Sequence, residues 1–425
     1  QMDAVAGTKS GGAEKQAAEQ TADKPYWFYT ETTFTAKPTL EDFCAKLAVV
    51  LEHSNFLLPL WTYADICARC LRCAERCHVF QKTRQVKDIP SYRTRLILDI
   101  FRNRFVPDGV VLRRWLRRNG SVRPALEELA ESVYRCTLCR RCAIECPMGV
   151  DNALVARVAR IALGELGIAP KNLTVSSREQ LEGIGNTSAI PQAAYLHTLD
   201  FLEEDAYDTY GIEVKFPRDK VGAYSLFLAP VSDFMMEAET LMGNAIALTL
   251  MGEDWTVGTK YYDAINYGLF YSDTVLMRVV DKILAEADRL RVRRIIIGEC
   301  GHATRALVNY ARSHPAGHRY EVVNIQELTA QAILDGRLRP DPSKNPRKVT
   351  LHDPCNIVRC GRVGESMRII MRACCANFVE MEPHGKENYC CGGGGGTVTV
   401  EDIHEFRMSI GGLRKAERIR ATGAE

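Results

Sequence analysis

The chain has 425 residues, 46% of them hydrophobic and 25% charged, with a formal net charge of +2. This length exceeds one ordinary core and predicts two or three domains, while the near-neutral balance excludes a nucleic acid or other polyanion as the partner implied by charge. Sixteen cysteines without a secretory signal point to metal ligation in a reduced compartment, not to a disulfide framework.

In chain order, residues 1–25 are rich in Ala, Gly, Glu, Lys and Gln and predict a disordered tail. Tyr26–Phe34 turns aromatic, as expected of an arm that docks on a core or a partner. Thr39 is placed to cap a helix with Glu41 and Asp42 in its first turn and Phe43, Leu47, Val50 and Leu51 as its apolar stripe. The longest apolar runs, such as Lys46–Leu51 and Ile295–Gly298, are too short to cross a bilayer, so no transmembrane segment of its own is expected.

Next comes Cys67-x2-Cys70-x2-Cys73-x3-Cys77, and a second copy at Cys136-x2-Cys139-x2-Cys142-x3-Cys146 with Pro147 behind it. This is the spacing of bacterial-type 4Fe–4S ligation, in which three cysteines on a tight loop reach one cluster and the fourth reaches the other. Structural zinc takes four ligands in all, not two complete sets at this period. The expected wiring is Cys67, Cys70 and Cys73 with Cys146 on one cluster, and Cys136, Cys139 and Cys142 with Cys77 on the other. The first copy has His78 where the second has Pro147, which leaves the ligands intact.

The 58 residues between the copies predict helices over Tyr92–Phe105, Gly109–Arg118 and Arg123–Tyr134. Arg93–Arg123 carries nine arginines against two acids. It is either a solvated helix face or a basic surface for an acidic partner or anionic headgroups. Asp151 is expected to cap a helix with Leu154, Val158 and Ile161 on one face. Residues 26–170 thus form an α-helical domain, and 171–218 a polar connector with one helix at most. Gly183-x-Gly185 lacks a third glycine in dinucleotide register and is not a nucleotide site.

From Asp219 the pattern changes to alternating strand and helix. Strands are predicted over Ala223–Pro230, Asp254–Val257, Arg294–Gly298, Val322–Asn324, Lys348–Leu351 and Asn377–Met381. Helices are predicted over Glu237–Met251, Ser272–Arg291, Ile325–Leu334, Ser366–Arg372 and Glu401–Arg420. Residues 219–425 therefore predict a Rossmann-like α/β unit, which makes the whole an α+β multidomain protein. Cys300, Cys355 and the pair Cys390-Cys391 all follow strand ends, the edge where open α/β folds bind ligands. Cys391 runs into Gly392 to Gly396, whose backbone can approach an anionic centre closely and turn N–H groups toward it. Gly392 and Gly393 are the candidate cofactor-binding positions. His302 and Glu299 flank Cys300 and are proton-donor candidates, while His352 and Asp353 fit turn structure better. Cys374-Cys375 is followed by Ala376 and sits at a helix end, as structural thiols do. Cys360 lies in a loop with Arg359 and Arg362 and is a candidate extra ligand or redox-active thiol.

His352-Asp353-Pro354-Cys355 followed by Cys390-Cys391-Gly392-Gly393 resembles the cysteine-rich (CCG) domain of heterodisulfide reductases and of related dehydrogenase iron–sulfur subunits. The helical part resembles their ferredoxin domain. The order of the two is similar to D-type heterodisulfide reductase subunits and to the single-CCG subunits of sulfate-reducer membrane redox complexes. The resemblance covers Tyr26 to the C-terminus. It implies two 4Fe–4S clusters and one further CCG-bound iron–sulfur cluster, cubane or non-cubane, held by Cys300, Cys355, Cys390 and Cys391. It implies electron relay to disulfide or thiol chemistry at that centre, with Cys300, Cys355, Cys390, Cys391 and His302 as the reacting set. A membrane cytochrome b-type subunit, other complex subunits and a protein or small-molecule disulfide are the implied partners. The implied location is cytoplasmic, peripheral on the inner membrane. The sequence departs from the family in having no cysteine after Cys391 and no Cys-Cys-Gly in the first half-repeat, so one such cluster is expected. Two other readings stand beside it: a non-catalytic carrier between a flavin dehydrogenase of the glycerol-3-phosphate or lactate type and quinone, or a structural zinc site.

Overall fold

The structure, a computed structural model, describes residues 29–30, 38–106, 126–311, 314–361, 363–400 and 403–424. The tail, most of the Tyr26–Phe34 arm, the helix expected over Gly109–Arg118, much of the basic segment, and Arg362 lie outside the described residues.

The N-terminal unit is helical. Thr39 caps Leu40–Val50 through a capping box with Asp42, and Asp151 caps Asn152–Gly164 by accepting from the N–H groups of Ala153 and Leu154. These two helices pack with Ser54–Ile66, Pro90–Phe105 and Leu126–Tyr134 around Phe43, Leu47, Leu60, Ile97, Phe101, Leu129, Val133 and Ala159. Asn152–Gly164 runs through the middle, buried along nearly its whole length. Two residues of the N-terminal arm form β1 (Tyr29–Thr30), antiparallel to β2 (Ile168–Ala169).

Both cysteine loops share one backbone device. Arg69 and Leu71 in the first have φ of 54° and 63°; Leu138 and Arg140, at the same places in the second, have 51° and 62°. Left-handed backbone costs a non-glycine residue ~1–2 kcal/mol. Its repetition at matched positions marks a built loop that turns N–H groups inward.

The α/β part contains a four-stranded parallel sheet in the order β4-β3-β5-β6, made of β3 (Ser225–Leu228), β4 (Trp255–Thr256), β5 (Arg294–Ile297) and β6 (Glu321–Asn324). A separate parallel pair joins β7 (Lys348–Thr350) to β8 (Asn377–Val379). The predicted strands are all present, but they form two sheets. The segment 171–218 holds two helices, Lys171–Glu182 and Gln192–Tyr210, where one at most was expected. The second buries Tyr195, Leu199 and Leu202 against Phe227, Leu248 and Trp255. Its remaining surface mixes acids with exposed Phe201, Tyr207 and Tyr210, so its sequence shows little of which face is buried. Leu269, Phe270 and Leu276 of the α/β part complete the helical unit's core, so apolar packing is continuous across the two.

Two π-helical turns flank the C-terminal cysteines: Asn356–Gly361 after Cys355, and Met408–Gly412 inside the last helical stretch. The single helix expected over Glu401–Arg420 is thereby divided into His404–Arg407 and Leu413–Thr422. A Cβ at Gly411 would fall 2.4 Å from the Gly392 nitrogen, so the bulge brings bare backbone against the Cys-Cys-Gly turn. Among the described residues no single helix is long and apolar enough to cross a membrane; Leu40–Val50 with Asn55–Ile66 reaches that length only as a pair bent by 115°.

Candidate iron–sulfur centres

Two small cavities are lined by the repeated cysteines. The first is walled by Cys67, Cys70, Cys73 and Cys146, the second by Cys77, Cys136, Cys139 and Cys142. In each cavity the fourth cysteine comes from the other copy of the motif. Donors already face some of these sulfurs: the Leu138 N–H lies 3.4 Å from Cys136 Sγ and the Val150 N–H 3.3 Å from Cys146 Sγ. Burial, only partly offset by Arg93, pushes the Cys77 thiol up to about 12, so a thiolate there needs a positive centre beside it. The cavities differ in depth. Cys70 is exposed, with Leu71 and Met148 exposed near it, whereas Cys139 and Cys142 are buried.

The third grouping lies directly behind the second cavity. Cys139, Cys355 and Cys390 form one buried cluster, although Cys139 belongs to the ferredoxin loop. Cys390 also interacts with Cys391, which drives the Cys391 thiol well below its usual value, while Cys139, and after it Cys355 and Cys391, push the Cys390 thiol up. The Cys391 sulfur is acted on by His352 and by the Gly393 N–H, and the Gly392 N–H donates to Cys390 Sγ at 3.3 Å. The two glycines thus direct N–H groups at the paired sulfurs. Three residues that sequence reasoning passed over belong here. Thr137 Oγ1 lies 3.5 Å from Cys390 Sγ; a ring nitrogen of His78 lies within 4.8 Å of the Cys139 and Cys390 sulfurs; His352, taken for turn structure, meets Cys391. The available signals were His78 in place of the second copy's proline, and the position of His352 beside Cys355.

Cys300 is not drawn into that set. It caps Gly301–Tyr310, and burial, offset by the N–H groups of Ala303 and His302, pushes its thiol up to about 12. Its helix still touches the site, because Gly301 packs against Asn356 and Ile357 just after Cys355. Glu299 pairs with Asp233 and accepts from Asn244 at 2.9 Å, away from the cysteine pair. His302 stacks edge-on against Phe270 at 4.9 Å; burial and Arg305 hold it down to about 4, with Cys391 opposing. Asp353 is structural, as expected: Arg368 binds it with two bonds of 2.9 Å. Cys375 accepts from Asn345 at 3.1 Å, which fits a structural thiol.

The glycine run locks the two parts together. A Cβ at Gly394 would meet the Thr137 carbonyl oxygen at 2.7 Å; at Gly395 it would meet Thr137 and Cys136 backbone at 3.0–3.1 Å. Fully buried Arg160 spans the joint and donates to the carbonyls of Val133, Tyr134, Cys136 and Gly395. Arg359 reaches the Cys139 carbonyl at 3.0 Å, and Arg141 reaches that of Glu387 at 3.1 Å while lying over Tyr389. Beside the joint opens a cleft of about 1330 Å³, lined by Arg140, Arg359, Lys386, His384 and Cys360 among others, with Arg140 4.0 Å from the Cys360 sulfur.

Two cysteine loops on a helical unit, followed by a cysteine-pair site sharing a wall with one of them, define a multicentre iron–sulfur protein. The chain matches the 4Fe-4S dicluster domain over residues 63–150 and the cysteine-rich domain over 349–425, the two domains in the order the resemblance implied. It is similar to the Hdr-like menaquinol oxidoreductase iron-sulfur subunit 2 of Archaeoglobus fulgidus, 29% identical over 81% of this chain and 69% of that protein. It is also similar to the D-type subunit of dihydromethanophenazine:CoB–CoM heterodisulfide reductase from Methanosarcina mazei, 24% identical over 83% of each chain. The EtfAB:quinone oxidoreductase of Syntrophomonas wolfei is 24% identical over 64% of this chain and 38% of its own length. No solved structure matches the chain. The resemblance to heterodisulfide reductase D-type iron–sulfur proteins thus extends over most of the chain, and its cofactors are iron–sulfur clusters.

Proposed function

We propose that the chain is the electron-carrying and substrate-converting subunit of a heterodisulfide-reductase-like, membrane-associated oxidoreductase, in which cubane clusters feed a cysteine-pair centre that reduces a disulfide or oxidises thiols. One observation carries the reading: Cys139 of the second ferredoxin loop and Cys390 of the Cys-Cys-Gly turn share one buried cluster, so the two sites abut. In this reading Cys67, Cys70, Cys73 and Cys146 hold the outer cubane, and Cys77, Cys136, Cys139 and Cys142 the inner one. Cys355, Cys390 and Cys391 hold the third centre, with Cys300 at its edge as the remaining ligand candidate. Such clusters pass electrons singly, whereas a disulfide takes two electrons and two protons.

The exposed edge at Cys70, Leu71 and Met148 is the side from which a partner, a cytochrome b-type subunit in the implied complex, would exchange electrons. Proton delivery is assigned to His352, which acts on the Cys391 sulfur, in preference to His302, whose protonated form burial disfavours. The cleft holding Cys360, where Arg359 and Lys386 share the lining with Glu327 and Glu365, is the proposed approach for substrate. The similarity to an EtfAB:quinone oxidoreductase supports a second reading, a carrier to quinone without disulfide chemistry.

Metal content and EPR separate these. The proposal expects roughly twelve irons per chain at ~4 per cluster, and no zinc. Cys391→Ser is expected to abolish a signal that responds to added disulfide or thiol, while both cubane signals remain. Cys390→Ser should disturb the inner cubane as well, because its sulfur adjoins Cys139. A third signal indifferent to thiols and disulfides leaves the carrier reading standing; stoichiometric zinc removes both.

A further inference from the structure

His78 belongs to neither cysteine set, yet it occupies the wall between them. The imidazole is 2% exposed. One of its ring nitrogens and the sulfurs of Cys139 and Cys390 all lie within 4.8 Å of one another. Its Nε2 is 3.3 Å from Thr137 Oγ1, and Thr137 Oγ1 is 3.5 Å from Cys390 Sγ. Its Nδ1 is buried without a hydrogen-bond partner among the described residues. A buried imidazole nitrogen left unmatched is destabilising, and buried polar groups are rarely left so.

The surroundings say what is missing. His78 lines the same cavity as Cys77, Cys136, Cys139 and Cys142. Arg93, Arg140 and Arg141 on that wall are donors and the Asn152 oxygen already accepts from Thr94, which leaves the four cysteine sulfurs, and sulfur ligated to iron is an acceptor. The hydroxyl of Thr137 fixes the ring through Nε2, and the bond made at one ring nitrogen decides which nitrogen carries the proton. Taking Nε2 as the acceptor from Thr137 places the proton on Nδ1, which has no hydrogen-bond partner among the described residues. The equivalent place after Cys146 holds Pro147, which has no side-chain donor, so the device serves one centre and not the other.

We propose that His78 is a positioning residue for electron transfer: its Nδ1–H donates to a sulfur of the cubane held by Cys77, Cys136, Cys139 and Cys142, raises that centre's potential relative to the outer cubane, and keeps it in register with Cys390. Hydrogen bonds to cluster sulfurs are a principal control of potential, because they stabilise the more negative, reduced state. The direction follows. An inner cubane higher in potential than the outer one draws electrons inward, toward the cysteine pair. The inference rests on the ligand set proposed above but not on disulfide chemistry.

The test is an anaerobic redox titration of the full, cluster-loaded chain followed by EPR, with the two cubane signals assigned by comparison with Cys70→Ser. His78→Phe keeps the ring's bulk and removes both nitrogens. The inner cubane's midpoint is expected to fall by about 59 mV, a tenfold change in its oxidised-to-reduced ratio at fixed potential. The outer cubane should not move. His78→Asn, whose amide can stand in for Nδ1–H, is expected to recover most of the shift. Should His78→Phe fail to hold the inner cluster, Thr137→Val carries the test: it retains the imidazole, frees its orientation, and should lower the same midpoint alone. Unchanged midpoints, equal movement of both signals, or an Asn variant no better than Phe would overturn the inference. A wrong ligand set shows itself differently, as a Cys139→Ser protein that retains all its iron.

Discussion

Replacing Gly395 with alanine tests whether the glycine run exists to let the C-terminal part seat on the ferredoxin loop. Two costs are separable. Gly395 has φ of +69°, and placing an alanine there costs ~1–2 kcal/mol. The added methyl would also stand 3.0 Å from the Thr137 carbonyl carbon and 3.1 Å from both the Cys136 oxygen and the Thr137 Cα. All three are backbone atoms that cannot swing aside, and overpacking of this kind costs ~1–3 kcal/mol. The sum is ~2–5 kcal/mol. Gly385 supplies the control, with φ of +55° and nothing within 4 Å of an added methyl, so alanine there incurs the backbone cost alone. Urea unfolding of the loaded protein under anaerobic conditions should therefore place Gly395→Ala about 1–3 kcal/mol below Gly385→Ala. The EPR line shape of the inner cubane should change with it, because the displaced backbone belongs to Cys136 and Thr137, while the outer cubane stays as it was. Equal unfolding curves for the two variants, with unaltered spectra, would refute the seating role.

Arg160→Leu removes the guanidinium donor from four backbone carbonyls around the joint, of which only that of Val133 keeps a backbone partner, the Cys136 N–H, among the described bonds. At ~1–3 kcal/mol per unmet buried group, reduced by relaxation, a loss of ~3–5 kcal/mol is expected in denaturant unfolding; a loss under ~1 kcal/mol would contradict the clamp. Asp219 gives a pH signature. Burial raises its carboxyl, but Arg289 and Thr259 outweigh this and hold it below its ordinary value. A depressed carboxyl stabilises the fold above the unfolded pKa of ~3.9 and ceases to do so as pH falls through the lower folded value. Wild type minus Asp219→Asn stability should then be flat above about pH 5 and shrink below about pH 4; a difference that grows with acid would reverse the sign. Cys360 should react faster with a doubly anionic aromatic disulfide than with a neutral pyridyl disulfide, judged by mass spectrometry of the labelled chain. Lys386→Glu should narrow that preference severalfold, with Cys374 as the charge-indifferent reference; an equal preference at both thiols would exclude a basic approach to Cys360.

The doubled cysteine motif was legible because ligation fixes residue type and interval together, so Cys67 to Cys77 and Cys136 to Cys146 announced the two cavities and their exchanged fourth members. Strongly periodic elements such as Pro90–Phe105 and Asp273–Leu290 were equally plain. Gln192–Tyr210 was not, because five of its 19 residues are acidic and only Tyr195, Leu199, Leu202 and Ala206 are buried. The division into two sheets is a matter of pairing between distant segments, which alternation of strand and helix does not encode. Cys300 is a case that strand ends alone leave open. Its position on the chain is equivalent to that of Cys355, yet its neighbours are Glu299, Asp233 and its own helix amides. His78 and Thr137 escaped because each looks ordinary in its own segment, and they acquire meaning only where the two segments face one another.

The unequal depth of the two cubane cavities has a consequence for how the protein is made. Ribosomal synthesis delivers both cysteine loops long before Gly394 and Gly395, which then cover the backbone of Cys136 and Thr137. One wall of the inner cavity is thereby covered by a segment made later, whereas the outer one keeps Cys70 at the surface. Iron and sulfide for the inner site are therefore expected to arrive while the C-terminal part is still undocked, and the outer site to accept them in the finished molecule. Brief exposure to air followed by reconstitution of the folded chain should accordingly restore the outer cluster first.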